Sequence, residues 1–399
     1  MPRPHFKSTP SFFLMAALCG AFTAISAGAT PARIAALGGR GDFFTDEANV
    51  HRWCAVLGEY PGLVTLESGW IDLDPGDARE GRDRFGPGGG ISWAVGPDGT
   101  WATVGLSFHD RQSGSDPGSL VPEDGDDAFT VMAARRFGDL LAGLRYRRVG
   151  RTWDDPLAGS WTAKRRELGA GVRVPLGSAG FLDLAGEIRG LSSDLISVGS
   201  PAASPFVLPE DSWGNPGLRA RAFLPLGPSS VLVPVLEYVE ESGSTFAAED
   251  GALQPATFSA RLTRAGLGFN FFPDLDTMLL VSVEYLDARR GGTDWPSEGY
   301  PDDPLALRSY PLTLRSLLMR SGVEWRLAPM VVARAGFGLA TQENALGGDR
   351  QPLYAGLSGI LGDTTLDLAV RNGRIGSGIL EAGKRTTRLT IVLRRAFQP

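Results

Sequence analysis

The stretch that decides the fold is Thr100-Trp-Ala-Thr-Val-Gly-Leu-Ser-Phe-His109. Ala102, Val104, Leu106 and Phe108 hold one parity, and Thr103, Gly105, Ser107 and His109 the other. Successive side chains of a strand point to opposite faces, so the segment has one apolar and one polar face. Working outward, the same pattern runs from residue 88 to the C-terminus. An alternating segment is followed by a tight turn, a second alternating segment and a longer Asp/Gly/Pro-rich connection. Leu140, Ala142, Leu144 and Tyr146 oppose Gly143, Arg145 and Arg147. Leu279, Val281, Val283 and Tyr285 oppose Ser282 and Glu284, while Leu389, Ile391 and Leu393 oppose Arg388, Thr390 and Arg394. An unpaired arginine facing lipid costs about 2–4 kcal/mol at the bilayer midplane, so the arginine-bearing parity marks a lumen. The pattern predicts a transmembrane antiparallel β-barrel.

Short turns at 96–99, 138–139, 177–178, 227–228, 273–274, 328–329 and 362–363 alternate with long connections near 73–87, 110–126, 150–162, 191–212, 243–255, 289–308, 342–349 and 373–383. Seven hairpins, with one strand before and one after, predict sixteen strands. Residues 63–71 form the weakest strand, and losing or merging a pair leaves fourteen as the alternative. Short turns belong to the periplasmic side and long loops outside, which places both termini in the periplasm. Trp93, Phe137, Phe269, Phe271, Trp325 and Phe397 fall on the lipid parity near short turns. Phe129, Tyr146, Tyr238 and Tyr285 fall on it near long loops, and Trp101 is an exception on the wet parity. Two aromatic rings match the girdles of a membrane barrel, and a soluble sandwich has no reason to sort aromatics by strand end.

Residues 1–29 read as an export signal: Arg3 and Lys7, an apolar core over 11–26, then Ala27-Gly28-Ala29. Cys19 follows Leu18, where a lipoprotein site needs a small residue, so no lipid anchor is expected. The remainder divides into an N-terminal plug segment, 30–62, and the barrel, 63–399. The mature chain has one cysteine, Cys54, and can form no internal disulfide. No mature segment reaches the roughly 18 consecutive apolar residues of a spanning helix. A net charge of −6 argues against nucleic acid.

Residues 30–62 do not alternate. Thr45 would cap a helix from Asp46 to Leu57, with Val50, Trp53 and Leu57 on one face that packs in the lumen or at its periplasmic mouth. Here Arg33 with Ala35-Ala36-Leu37-Gly38-Gly39, followed by Asp46-Glu47-Ala48-Asn49, resembles the opening of PorV-type and long-chain fatty-acid-transporter-like outer-membrane barrels. Those begin Arg-x-x-Ala-Leu-Gly-Gly and continue through an acidic pair to Asn-Pro-Ala; here that last element is missing, and Arg52-Trp53-Cys54-Ala55 stands near where it would lie. The resemblance covers about 30 residues. It implies a fourteen-stranded barrel with an N-terminal plug, which either passes hydrophobic molecules or serves as an assembly partner in secretion.

No residue earns a catalytic, cofactor-binding or metal-binding assignment. Gly378 to Lys384 approaches a phosphate-binding loop, but Arg385 replaces the required Ser or Thr and a strand follows, so a glycine-rich outer loop is the better reading. His51 and His109 are the only mature histidines; two without a nearby cysteine make no metal site by spacing, and His109-Asp110 reads as an ordinary strand end. Cys54 reads as a small buried hydrophobe, and Arg40-Gly41-Asp42 as a chance tripeptide. The strongest functional hint is the inward parity itself. Arg145, Arg173, Arg219, Arg221, Arg264, Arg320 and Arg334 share it with Glu187, Glu284 and Glu324. Either an arginine-rich pore favours anions, or the charges pair across a plugged lumen, as the many lumenal glycines suggest. Acidic clusters at 123–127, 154–155, 240–241 and 302–303 are solvated loop tips, or sites for divalent cations that bridge lipopolysaccharide.

The expectation is an outer-membrane protein for transport or passive permeation of small or hydrophobic solutes, not an enzyme. The alternative is a non-transporting barrel serving as a structural or secretion/assembly partner. Expected partners are outer-membrane lipid, lipopolysaccharide and the barrel-assembly machinery, whose aromatic end signal Phe397 resembles.

Overall fold

The computed structural model describes residues 31–38, 41–72, 88–96, 101–109, 127–155, 159–177, 179–198, 207–209, 212–249, 252–293, 312–343, 353–372 and 387–397. The expected signal at 1–29, the glycine-rich loop at 378–385 and the acidic positions 123–126 and 302–303 lie outside these residues. Asp154-Asp155 and Glu240-Glu241, expected at loop tips, instead lie within the strands Leu140–Asp155 and Ser230–Glu249, which extend beyond the expected turns. The strands are β1 (Leu63–Asp72), β2 (Gly88–Val95), β3 (Ala102–His109), β4 (Asp127–Phe137), β5 (Leu140–Asp155), β6 (Gly159–Leu176), β7 (Gly180–Val198), β8 (Val207–Pro209), β9 (Ser212–Gly227), β10 (Ser230–Glu249), β11 (Ala252–Phe271), β12 (Thr277–Thr293), β13 (Leu312–Ala328), β14 (Val331–Glu343), β15 (Leu353–Leu361), β16 (Thr364–Asn372) and β17 (Thr387–Ala396).

Each strand pairs antiparallel with its neighbours, and β1 pairs with both β2 and β17, so the sheet closes on itself. The three-residue β8 lies against Thr245–Ala247 at the far end of β10, while β7 pairs directly with β9. The wall therefore has sixteen strands, not the fourteen that the family resemblance implies. Closure matters physically. A barrel has no free edge, and every wall strand satisfies its backbone groups internally. β1 is the irregular strand, with a register shift between Glu67 and Trp70.

The two faces separate by parity. On β5, Leu144 is 65% exposed on the outside, while its neighbour Arg145 is 6% exposed inside. Leu168, Leu184, Leu218, Leu236, Leu267 and Leu357 continue the outer belt. So large an exposed apolar surface needs a non-aqueous medium, and a bilayer supplies it. No helix among the described residues is long and apolar enough to cross a membrane, and the strands do the crossing. Phe137, Phe269, Phe271 and Trp325 stand on the outer face by the short turns, with Phe129 and Tyr285 toward the other end. The expected exception, Trp101, is not on the wet face. It precedes β3, is 60% exposed, and packs over Gly96, where an added Cβ would lie 2.5 Å from the indole Cγ. A φ of 98° at Gly96 makes the turn that brings them together.

Candidate functional site: the plugged lumen

The N-terminal segment lies inside the barrel. A short helix, α1 (Pro31–Ala36), leads to three 3-10 turns at Gly41–Phe43, Glu47–His51 and Cys54–Glu59, and then to β1. The single helix expected over Asp46–Leu57 is therefore two 3-10 turns. Their cap is also different: Asp46 itself accepts the Ala48 N–H at 2.8 Å, in place of Thr45. The break falls at Trp53, whose φ of −121° and ψ of 71° leave the helical region. There the indole Nε1 donates to Asp42 Oδ1 at 3.0 Å, and the Arg221 guanidinium lies 4.6 Å from the ring centroid. Tertiary partners in the lumen override local helix propensity. Val50, Trp53 and Leu57 still bury together, with Val56, Met132 and Ala134.

The plug touches the wall where inward-facing glycines allow it. A Cβ on Gly143 would lie 2.5 Å from the Cys54 carbonyl carbon and oxygen, and one on Gly336 would lie 2.8 Å from the Ala36 oxygen. Gly268 receives Phe43 in the same way, Gly356 receives Ala36, and Gly171 faces the Cys54 sulfur. Around Phe43, Phe44 and Leu37 the wall contributes Phe223, Val233, Val235, Met278 and Leu280. These inward apolar residues interrupt the polar lumen only where the plug covers them. β10 carries the signal in its sequence, Val231-Leu-Val-Pro-Val-Leu236, which is apolar on both parities and which alternation alone passes over.

The inward charges form a connected network through the plug. Asp42, fully buried, accepts from Arg264 and lies 3.3 Å from Arg52 Nε. Arg264 also pairs with Glu284 at 2.6 Å and Glu237 at 3.0 Å, and Arg320 donates to Glu284. Glu237 takes Arg52 at 2.9 Å and Arg219 at 2.8 Å. Arg219 forks onto Glu187 at 2.8 and 2.9 Å, and Glu187 also receives Arg189 and Arg145. Arg145 reaches Glu167 at 2.9 Å and the backbone carbonyl of His51.

Two further clusters pin the rest of the plug. Arg173 is bidentate to Asp183 at 2.6 and 2.8 Å and reaches Glu59 at 2.6 Å, while Arg221 pairs with Asp183 at 2.8 Å. Arg33 is bidentate to Glu324 at 2.7 and 2.9 Å, and Arg334 joins Glu324 to Asp367. Every arginine and glutamate singled out from the inward parity is thus brought inside and linked to a partner. The plug residues that complete the network, Arg33, Asp42, Arg52 and Glu59, carry no parity and were not singled out as lumenal charges.

The network sets the protonation of the plug. Burial opposes charge on Asp42, but Arg52, Arg264 and Arg221 outweigh it and hold the carboxyl far below its usual range. Asp46 and Glu47 go the other way: burial pushes them up to about 7 and about 8. For Glu47 the neighbouring Asp46 charge adds to the rise against the Arg394 ion pair at 2.9 Å. Burial also pushes up the Cys54 thiol, which is free and buried as expected.

Between the plug and the β1–β4 wall lies a cavity of about 90 Å³. Val50, Leu57, Leu63 and Met132 line it beside His51, His109 and Ser107. His109 is no ordinary strand-end residue. It points inward, sits 3.3 Å from Glu67, and meets His51 edge-on with ring centroids 5.6 Å apart. Ser107 Oγ is buried and has no hydrogen-bond partner among the described residues. Among these residues no group of three or more His, Cys, Asp or Glu could hold a metal ion.

No protein-family model matches this sequence, and no curated protein matches it. Solved structures do resemble it. A Pseudomonas aeruginosa FadL homologue aligns over 93% of this chain and 98% of its own, at 12% identity and a TM-score of 0.52. The Pseudomonas putida toluene transporter TodX aligns over 93% and 98%, at 11% identity and a TM-score of 0.46. At such identity the likeness is one of fold, and this fold, with its apolar outer belt, is that of a barrel of the bacterial outer membrane.

Proposed function

We propose that the protein lets small apolar or amphipathic solutes cross the outer membrane along the seam between plug and wall. The observation that carries this reading is the seam cavity, where Val50, Leu57, Leu63 and Met132 meet Glu47, His51, Glu67 and His109, and where the buried hydroxyl of Ser107 has no partner among the described residues. An unmet buried hydroxyl costs free energy that a bound polar group or water recovers. The barrel axis is a poor route for ions, because the plug fills it and ion pairs tie the plug down at Asp42, Arg33 and Glu59. Its filled axis is also what favours the second reading, a silent scaffold or assembly partner. Uptake of radiolabelled toluene by intact cells separates the two. Cells carrying the barrel should take it up faster than control cells, and Ser107→Trp, which fills the cavity, should return uptake to the control rate. Equal uptake with and without the folded barrel would leave the scaffold reading.

A further inference from the structure

On the outer face, Arg148 of β5 and Arg166 of β6 stand directly opposite each other, and both are exposed. Like charges paired across antiparallel strands repel, and no carboxylate of the described residues neutralises either one. Other cations toward the long-loop end of this face have partners. Arg289 and Arg315 share Asp287 at 3.0 and 3.9 Å, and Arg261 lies over the Tyr238 ring. The Arg148–Arg166 pair thus looks outward for its anion.

Its height identifies the source. Arg148 is eight residues beyond Leu140, which starts β5 at its short turn. At about 3.3 Å per residue and a tilt of about 40°, that is roughly 20 Å up an apolar band about 25 Å tall. Phe129 shares the row, and Tyr146 lies one row below, so the pair sits at the outer aromatic girdle. This is the headgroup level of the leaflet on the long-loop side.

Directly below, the same strands sink into an apolar concavity of about 1000 Å³ that extends from β3 to β11. Its upper row runs Leu144, Ala170, Gly186, Leu218 and Tyr238 across five strands. Small side chains at Ala170 and Gly186 make the hollow, and the leucines and tyrosine form its rims. From β5 to β11 the hollow spans roughly 24 Å at about 4.8 Å per strand, wide enough for several chains side by side. Its top is four residues, about 13 Å, from the arginine pair. An occupant must therefore carry negative charge at the outer headgroup level and several acyl chains below it.

We propose that this face binds a phosphorylated, multiply acylated glycolipid of the outer leaflet, with its phosphates on Arg148 and Arg166 and its acyl chains in the concavity. Guanidinium and phosphate match in shape as well as charge. The test uses the purified full-length barrel in detergent, with bisphosphorylated lipid A as probe and phosphatidylglycerol as the two-chain anionic comparison. Lipid A should bind the wild-type barrel more tightly than phosphatidylglycerol. Arg148→Ala/Arg166→Ala should weaken lipid A binding about 30-fold, since each cation near an anionic surface is worth about fivefold. Arg148→Lys/Arg166→Lys should retain most of the affinity, and Arg289→Ala all of it. Ala170→Trp should weaken binding with both arginines in place, which tests the hollow apart from the charge. Each variant is first shown to be folded by its retained β-sheet signal in cold SDS. Equal lipid A affinity in wild type and double alanine variant, or equal affinity for phosphatidylglycerol, would overturn the proposal.

Discussion

At Gly143 a missing methyl group decides whether the plug can seat. The clash that a side chain would make there is with the Cys54 backbone, at 2.5 Å, and the Ala55 nitrogen, at 2.6 Å. Backbone atoms cannot rotate aside, so Gly143→Val must lift the plug or spread the wall. Gly171→Ala meets the Cys54 sulfur and the Leu184 carbonyl oxygen, each at 3.2 Å, which asks for a shift of a few tenths of an ångström. Cys54 is itself the reporter: buried, with its thiol pushed up in pKa, it should react slowly with maleimide. Overpacking costs about 1–3 kcal/mol, so Gly143→Val should raise labelling roughly 5- to 100-fold while Gly171→Ala changes it little. Asp42→Asn should act more strongly. Asparagine can still accept from Trp53 Nε1, but it leaves Arg264 and Arg52 facing a neutral group, and breaking a buried pair costs about 3–5 kcal/mol. If Cys54 labelling in Asp42→Asn matched wild type, the ion pairs would not be what seats the plug. These residues differ in how far their sequence announces them. Glycines and arginines on the inward parity mark a crowded, charged lumen, whereas Asp42 stands in a segment with no period and reads as part of a chance tripeptide until the fold surrounds it.

Among the elements, the strands are legible and the plug is not, for one physical reason. A strand of a membrane barrel faces lipid on one side and water or charge on the other, so its environment is printed on it with period two. The plug faces the wall on all sides, and its residues answer to whichever wall atom lies nearby; two 3-10 turns satisfy Trp53, Asp46 and Asn49 better than one helix. Its protonation follows from the same enclosure. In a released plug, Asp46 and Glu47 would ionise near the usual carboxylate range, about 4. Seated, they keep their protons to about 7 and about 8. Over that interval the seated form binds more protons than the released one, so seating weakens as pH rises from about 4 and the loss is complete above about 8. His51 has the opposite sign. Burial, then His109, Arg147 and Arg145, holds it well below its ordinary 6.5, so seating weakens as pH falls below that value. Cys54 labelling, taken at each pH relative to a fully exposed thiol so that the thiolate fraction cancels, should therefore show a minimum with two rising limbs. Glu47→Gln should flatten the alkaline limb and leave the acid limb in place. An unchanged alkaline limb would mean that Glu47 is already ionised in the seated plug.

Taken whole, the molecule is a wall of inward arginines that pair partly with acids of the wall and partly with acids of the segment it encloses. Turn chemistry points to sixteen strands, because seven hairpins with one further strand before and one after make an even, closable number. Fourteen stays open through the weak strand at 63–71 as well as through the likeness of the first residues, and the closed wall of sixteen decides it. The state of the lumen was the open question, since the same arginines fit an anion pore or a packed plug. The structure has the second arrangement, and it also says what the first would require. Asp42, Asp46, Glu47 and Glu59 all lie in the plug; Asp42, Glu47 and Glu59 pair with Arg264, Arg394 and Arg173 on the wall, and Asp46 with Arg33 of the plug itself. Deleting residues 31–60 takes away those four carboxylates against Arg33, Arg40 and Arg52. The wall then keeps Arg145, Arg165, Arg173, Arg189, Arg219, Arg221, Arg264, Arg320, Arg334 and Arg394 over Glu67, Glu167, Asp183, Glu187, Glu237, Glu284, Glu324 and Asp367. A water-filled ring of unpaired arginine favours anions. In planar bilayers the full chain should be nearly silent to ions, and the deletion should open steady channels that pass chloride better than potassium. Raising the salt should blunt that preference, because exposed charges are screened beyond about 10 Å at 0.1 M. A potassium preference would show that Glu187, Glu237 and Glu284 still dominate the opened wall. Continued silence would show that something other than residues 31–60 closes the barrel.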